Sequence, residues 1–161
     1  MKSAQRLIYF AGSIRGGRDD SAIYAQLIKT LSNFGQVLTE HVGGRALTSE
    51  GEGVSPREVH DRDLNWLKSA DFVVAEVTTP SLGVGYEIAR ATEWGKPVLC
   101  LFRRGVQHQG LSAMIAGCPA VTVREYTDVA GTESIFAGFF TTQAFTSSSI
   151  PDVGPRDAHR A

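Results

Sequence analysis

Two carboxylates and two glycine-bearing turns are the parts of this chain whose types and spacing could do chemistry. Glu87 ends the stretch Glu76-Val77-Thr78-Thr79-Pro80-Ser81-Leu82-Gly83-Val84-Gly85-Tyr86-Glu87, which leaves the apolar run 72–75 and enters a helix rich in small residues. Ser81 is placed to cap that helix. Gly83 and Gly85 fall in its first turns, where glycine costs stability, and a close approach to the backbone would account for them. The free N–H groups of a helix start suit a phosphate or other anion, and Glu87 lies about one turn further on. The second turn, Gly12-Ser13-Ile14-Arg15-Gly16-Gly17-Arg18, holds the parts of an anion cradle: glycines, a hydroxyl and two guanidinium groups. It lacks the Lys-Ser/Thr of a P-loop and the spacing of a dinucleotide fingerprint. A Gly-rich turn with solvated arginines is the plainer alternative. Asp63 falls inside the apolar stripe Val59, Trp66, Leu67 and Ala70 at helical spacing. A buried aspartate is costly unless paired or used, so Asp63 either caps or pairs structurally, or serves the site.

Tyr9, Ser13, Arg15, Asp63, Ser81 and Glu87 would make up that site. There is no Cys-His pair and no Gly-x-Ser-x-Gly elbow. His41, His60 and His108 do not sit at metal-ligand spacing, so neither a metal nor a cofactor is expected. Paired carboxylates beside an anion pocket are the equipment for cleaving a glycosidic bond. One attacks the anomeric carbon while the other handles the proton of the leaving group or the water. A phosphate pocket would select a nucleotide over a nucleoside.

The elements that must position these groups alternate regularly. Leu7-Ile8-Tyr9-Phe10-Ala11 predicts the first strand, and a helix from about Asp19–Ser21 to Phe34 follows, with Gly35 as its C′ residue. Gln36-Val37-Leu38-Thr39 predicts the second strand, and residues 43–53 a polar loop near the site mouth. Ser55-Pro56-Arg57-Glu58 is a capping box with proline at N1, opening a helix to about Ala70. Strands at 71–77, 98–102 and 120–123 are separated by the Leu82–Trp94 helix and a short helix at 111–115, where Ser112 either caps or faces a ligand. A last helix capped by Thr127 or Asp128 ends near Phe140. The class is α/β: a doubly wound, five-stranded parallel sheet, order 2-1-3-4-5, with helices on both faces. That order sets the first and third strands side by side and brings 12–18 next to 80–87. Residues 1–142 are expected to form one domain, and 143–161, with few apolar residues, a disordered tail.

The totals exclude several classes. A net charge of −1 argues against a general nucleic-acid or membrane-surface binder. No apolar run is long enough to span a bilayer, and the polar start, residues 1–6, reads as no signal peptide. Two cysteines give no disulfide framework, so a reducing, cytoplasmic setting is expected, with the nucleus open.

Tyr9-Phe10-Ala11-Gly12-Ser13-Ile14-Arg15-Gly16-Gly17-Arg18 resembles the N-terminal signature of the 2′-deoxynucleoside 5′-phosphate N-hydrolases, in the nucleoside 2-deoxyribosyltransferase superfamily. The resemblance continues at 37–42 and 60–66, is strongest at 73–87, resumes at 99–103 and 111–115, and covers residues 8–140 in several blocks. It implies that Glu87 is the nucleophile of a covalent deoxyribosyl intermediate, that Asp63 assists base departure and hydrolysis, and that Tyr9 orients the catalytic groups. It implies a 5′-phosphate site at Ser13, Arg15, Gly16, Ser81 and Gly83, with Ser112 donated to that phosphate by the other subunit of a homodimer, and further substrate contacts at Gly12, Ile14 and Met114. The implied substrates are deoxynucleoside 5′-monophosphates, dGMP and 5-hydroxymethyl-dUMP among them. Deoxyribosyl transfer between bases stands as the alternative, although a nucleoside would leave Arg15 unpaired. A nucleotide-binding module without turnover is the third reading, and two negative charges beside an anion speak against it.

Overall fold

A computed structural model describes residues 5–13, 20–39, 54–105 and 110–148. Along the chain they form β1 (Leu7–Ala11), α1 (Ser21–Leu31), β2 (Gln36–Val37), α2 (Pro56–Ser69), β3 (Phe72–Glu76), α3 (Leu82–Glu93), β4 (Val98–Arg103), α4 (Ala113–Ala116), β5 (Val121–Tyr126) and α5 (Thr132–Ser148). All strand pairs are parallel, in the order β2-β1-β3-β4-β5, as the alternation of elements predicts. Ala11 pairs with Ala75, so the chain leaves β1 and β3 side by side at the carboxyl edge of the sheet.

Strand alternation divides the core into two layers. Ile8, Phe10, Val74, Leu99 and Leu101 pack with α1 and α5 through Tyr24, Leu27, Leu31, Phe136 and Phe140. Tyr9, Ala11, Val73, Ala75 and Cys100 pack with α2 and α3 through Leu67, Val84, Ile88 and Ala91. That second layer carries Tyr9, Asp63 and Glu87 toward one another.

The ends of elements have local causes. Ser55 Oγ accepts from the Glu58 N–H at 3.3 Å and Glu58 Oε2 from the Ser55 N–H at 2.9 Å, the predicted capping box. Gly95, with φ of 69°, stops α3. β2 is only two residues long because Thr39 uses its hydroxyl in place of a ladder, donating to the Phe10 carbonyl at 2.7 Å and accepting from its N–H at 2.8 Å. α1 ends at Leu31, and residues 32–34 turn more tightly. Gly35 is needed for space instead of a left-handed cap: a Cβ there would lie 2.6 Å from the Arg6 carbonyl oxygen. β5 runs on to Tyr126, pairing 124–126 with 101–103. Asp128 Oδ1 accepts from the Gly131 N–H at 3.0 Å and caps the short turn before α5. α5 then continues over 141–148, of which 143–148 read as tail from composition. No glycine or proline lies between Phe140 and Ser148 to break it, and the Thr142 hydroxyl bonds back to the Gly138 carbonyl at 2.9 Å.

Candidate active site

Three elements of one layer meet at a carboxyl group. Tyr9, in the middle of β1, is 2 % exposed, and its hydroxyl donates to Glu87 Oε1 at 2.6 Å. Glu87, on α3, is part-buried. Burial pushes its carboxyl up to about 7; the Tyr9 hydrogen bond works against the rise, and the charge of Asp63 adds to it. Burial and the Glu87 charge hold the Tyr9 phenol far above its ordinary range, so it stays a donor. On α2, Arg62 Nε and Nη2 both donate to Asp63 Oδ1, at 2.9 and 2.8 Å, and the same guanidinium lies 4.8 Å over the Trp66 ring. Asp63 pairs with an arginine, and it stands close enough to Glu87 to raise its proton affinity. A carboxyl that titrates near neutrality beside a second carboxylate is suited to nucleophilic or acid–base work.

The anion end is built from β1 and α3. Ser13 is fully buried; its N–H donates to the Tyr24 hydroxyl at 3.2 Å, and its own Oγ has no hydrogen-bond partner among the described residues. A buried hydroxyl without a partner is uncommon and calls for one. Gly12 is explained by packing, since a Cβ would come within 3.0 Å of the Tyr24 ring. Ser81 Oγ caps α3, accepting from the Val84 N–H at 3.4 Å. At Gly83 a Cβ would meet only Ser81 Oγ at 3.8 Å, and at Gly85 nothing within 4 Å. No atom of the described residues demands those glycines. Ile14, Arg15 and Gly16 lie outside the described residues, as do Gly17, Arg18, His41, His108, residues 43–53 and the tail beyond 148.

The remaining candidates stand elsewhere. A cavity of about 670 Å³, a size that holds a small ligand, lies between α3 and α4. Ser81, Gly85 and Ile88 line one side and Ser112 and Met114 the other. Tyr9, Asp63 and Glu87 do not line it. At 100° per residue, Glu87 points roughly 140–160° away from the Gly85, Ala89 and Thr92 side of α3. Glu87 thus faces α2 while the cavity faces α4. Ser112 precedes α4, but its side chain makes no capping hydrogen bond.

Sequence reasoning passed over a buried polar junction at the carboxyl ends of the strands. Asp20, just before α1, accepts from Arg103 Nη2 at 2.6 Å through Oδ1 and from the Thr79 hydroxyl at 3.1 Å through Oδ2. The Arg103 N–H donates to Thr78 Oγ1 at 2.8 Å, and the Thr78 hydroxyl donates in turn to Glu76. Glu76, 1 % exposed, also accepts from the Thr78 N–H at 3.2 Å and the Tyr126 hydroxyl at 3.0 Å. Burial raises the Glu76 pKa, although those hydrogen bonds oppose it. The available signals were an acid closing an apolar strand and an acid following a Gly-rich turn.

Among the described residues no group of three or more His, Cys, Asp or Glu is arranged to hold a metal ion, and no helix is long and apolar enough to cross a membrane. His60 is a surface side chain, with ring nitrogens 3.0 Å from Asp61 Oδ1 and 3.2 Å from the Tyr86 hydroxyl.

Comparison with known proteins bears on the same residues. The family model described as nucleoside 2-deoxyribosyltransferase matches residues 8–129. A 5-hydroxymethyl-dUMP N-hydrolase of Tetraodon nigroviridis is 50% identical over 141 residues, covering 84% of this chain and 98% of the relative. The rat protein of the same name, from Rattus norvegicus, is 55% identical over 112 residues, 68% of each chain. Among solved structures, the CMP N-glycosidase BcmB of Clostridium botulinum shares the fold, with a TM-score of 0.58 at 18% identity over 83% of this chain and 99% of that one.

Proposed function

The chain belongs to the nucleoside 2-deoxyribosyltransferase family, and from that footing we propose that it hydrolyses the N-glycosidic bond of 2′-deoxynucleoside 5′-monophosphates, giving the free base and 2-deoxyribose 5-phosphate. The observation that carries this reading is the Tyr9–Glu87 hydrogen bond, with Glu87 poised near neutrality beside Asp63. The relatives' names supply the bond type and the nucleotide class.

In the proposed mechanism the ionised Glu87 attacks C1′ of the deoxyribose. The C1′–N bond breaks, and its electron pair leaves with the base, which takes a proton from a water that the Asp63 carboxylate orients, leaving hydroxide. The resulting ester between Glu87 and C1′ is opened by water at C1′. The Asp63 carboxylate takes that water's proton and passes it to the hydroxide left from the first step, and Glu87 leaves as a carboxylate. Tyr9 fixes one Glu87 oxygen throughout. The 5′-phosphate is assigned to Ser13, Arg15 and Gly16, with Ser81 and Gly83 at the start of α3. The Ser13 hydroxyl, which has no partner among the described residues, and the open space over Gly83 support that assignment. The catalytic unit is residues 1–142, and two free cysteines suit the cytoplasm.

The proposal also makes the enzyme a homodimer in which Ser112 and Met114 complete the neighbour's site. Two observations favour it. Ser112 and Met114 of a chain lie across α3 from that chain's own Glu87. Leu82 and Met114 are 97 % and 82 % exposed, an apolar face that a second copy would cover.

The test is direct. The purified protein, without added metal, is incubated with dGMP, 5-hydroxymethyl-dUMP, GMP and deoxyguanosine, with Glu87→Ala as the control. Free base from deoxynucleotides alone, lost in the variant, is the expected result. Base exchange between deoxyguanosine and adenine without release from nucleotides would turn the reading to a transferase. Activity retained by Glu87→Ala would refute the mechanism.

A further inference from the structure

The junction around Asp20 uses none of the catalytic carboxylates, yet it ties together the turns that carry the phosphate assignments. We propose that Asp20, Thr79 and Arg103 are positioning residues that fix the β3–α3 turn, and with it the N-terminus of α3, against the start of α1. This inference rests on the proposed function for the ligand it serves.

The geometry is that of a clamp. The two oxygens of Asp20 are used separately, one by Arg103 at the end of β4 and one by Thr79 in the β3–α3 turn. Thr78, the neighbour of Thr79, is held from the other direction by the Arg103 N–H and by Glu76. The turn is thus gripped at two consecutive residues by two elements distant in sequence, the start of α1 and the end of β4, and by Glu76 at the end of its own strand. Beyond the last ladder pair a parallel sheet offers its loops no backbone partners, so side chains must set their separation. Asp20 and Arg103 have side chains only 10 % and 16 % exposed, which confines the pair to one arrangement.

The same first turn of α1 holds the end of β1. The Tyr24 N–H donates to the Asp20 carbonyl at 2.9 Å, and the Tyr24 hydroxyl accepts from the Ser13 N–H at 3.2 Å. An anion bridging Ser13 and the α3 N-terminus needs those two groups at a fixed distance. A well-packed apolar trio would stabilise the fold as well as a buried ion pair does. The pair supplies direction, and a misplacement of about 1 Å at a binding group can cost on the order of a hundredfold in rate.

The test uses Asp20→Ala, Asp20→Asn and Thr79→Val in the full chain. Calorimetry gives Kd for inorganic phosphate and for dGMP or 5-hydroxymethyl-dUMP, whichever the parent binds more tightly, and steady-state kinetics give KM and kcat. Losing a charge-assisted tie in Asp20→Ala should raise Kd and KM about tenfold while kcat falls less than about threefold. Thr79→Val, which removes one hydroxyl at nearly constant volume, should raise them by about threefold. Asp20→Asn, which keeps an oxygen to accept from Arg103 and turns an amide N–H toward the Thr79 hydroxyl oxygen, should recover part of the loss. A merely structural role would lower the active fraction and leave Kd and KM at parent values; that result in a cooperatively melting variant overturns the proposal. If Asp20→Ala does not fold, Thr79→Val decides on the same readouts. A parent that binds nucleotide but releases no base refutes the hydrolase reading, and the Kd comparison still judges the clamp. A parent that binds neither nucleotide nor phosphate overturns both.

Discussion

Glu87→Gln should stabilise the free protein, and by more at high pH than at low. The sign follows from the proton balance. Burial raises the Glu87 carboxyl from its ordinary 4.5 to about 7 in the folded chain. Between those values the unfolded chain has lost the proton and the folded chain still holds it, so the folded state binds more protons and stability falls as pH rises. The whole interval, at about 1.4 kcal/mol for each tenfold change in proton affinity, amounts to roughly 3 kcal/mol. Glutamine keeps an acceptor for the Tyr9 hydroxyl and does not titrate. The variant-minus-parent stability should therefore widen by roughly 3 kcal/mol between pH 4.5 and pH 8. Urea unfolding of both proteins across that range measures it, and other titrating groups, Glu76 among them, cancel in the difference. A gap that stays flat with pH would show that Glu87 is not held near neutrality, and the reasoning from its burial would fall.

Other expectations follow from the same contacts. The parent's kcat/KM should rise with pH and level off above about 7, as Glu87 ionises. Tyr9→Phe should move that limb upward, because the Tyr9 hydrogen bond lowers the Glu87 pKa; a pH–rate profile with an unmoved limb would remove Tyr9 from that role. Asp63→Asn should cut kcat by about two orders of magnitude while the protein stays folded, since Asn keeps an acceptor for Arg62. Mixing Glu87→Ala with Ser112→Ala chains should restore about a quarter of the parent's specific activity, because half the dimers would be mixed, each with one whole site. No recovery on mixing, or a fully active monomer by light scattering, would end the shared-site idea.

Much of this was legible because period and punctuation are local. The apolar run ending at Ala11, the capping box at Ser55 and the small-residue helix after Ser81 each reflect a few neighbouring residues. The strand order followed from their alternation. Glu87 and Tyr9 could be placed on one layer from the same pattern. The polar junction could not, because it depends on four carboxyl-edge positions brought together from residues 20, 76–79, 103 and 126. No single stretch around Asp20 or Arg103 differs from an ordinary turn. Thr39 shows the same limit on a smaller scale. Its sequence fits a strand, yet its hydroxyl takes over the pairing with Phe10 and ends β2 two residues early.

The division of labour around α3 also needed the structure, although the arithmetic is simple. Val84, Ile88 and Ala91 face the sheet. That leaves one flank of the helix for Glu87, beside α2, and the opposite flank for Gly85, Ala89 and Thr92, beside α4. Reading the stretch 76–87 as one site merges two surfaces that a helix keeps apart. The shared feature is the turn before the helix, since moving Thr78 to Ser81 would move both flanks at once. Holding that turn from the α1 side of the sheet leaves the flanks free for substrate and for a second chain. It also keeps the clamp's charges on the other side of the sheet from Tyr9 and Glu87, so that among the described residues the proton affinity of Glu87 is set by burial, Tyr9 and Asp63.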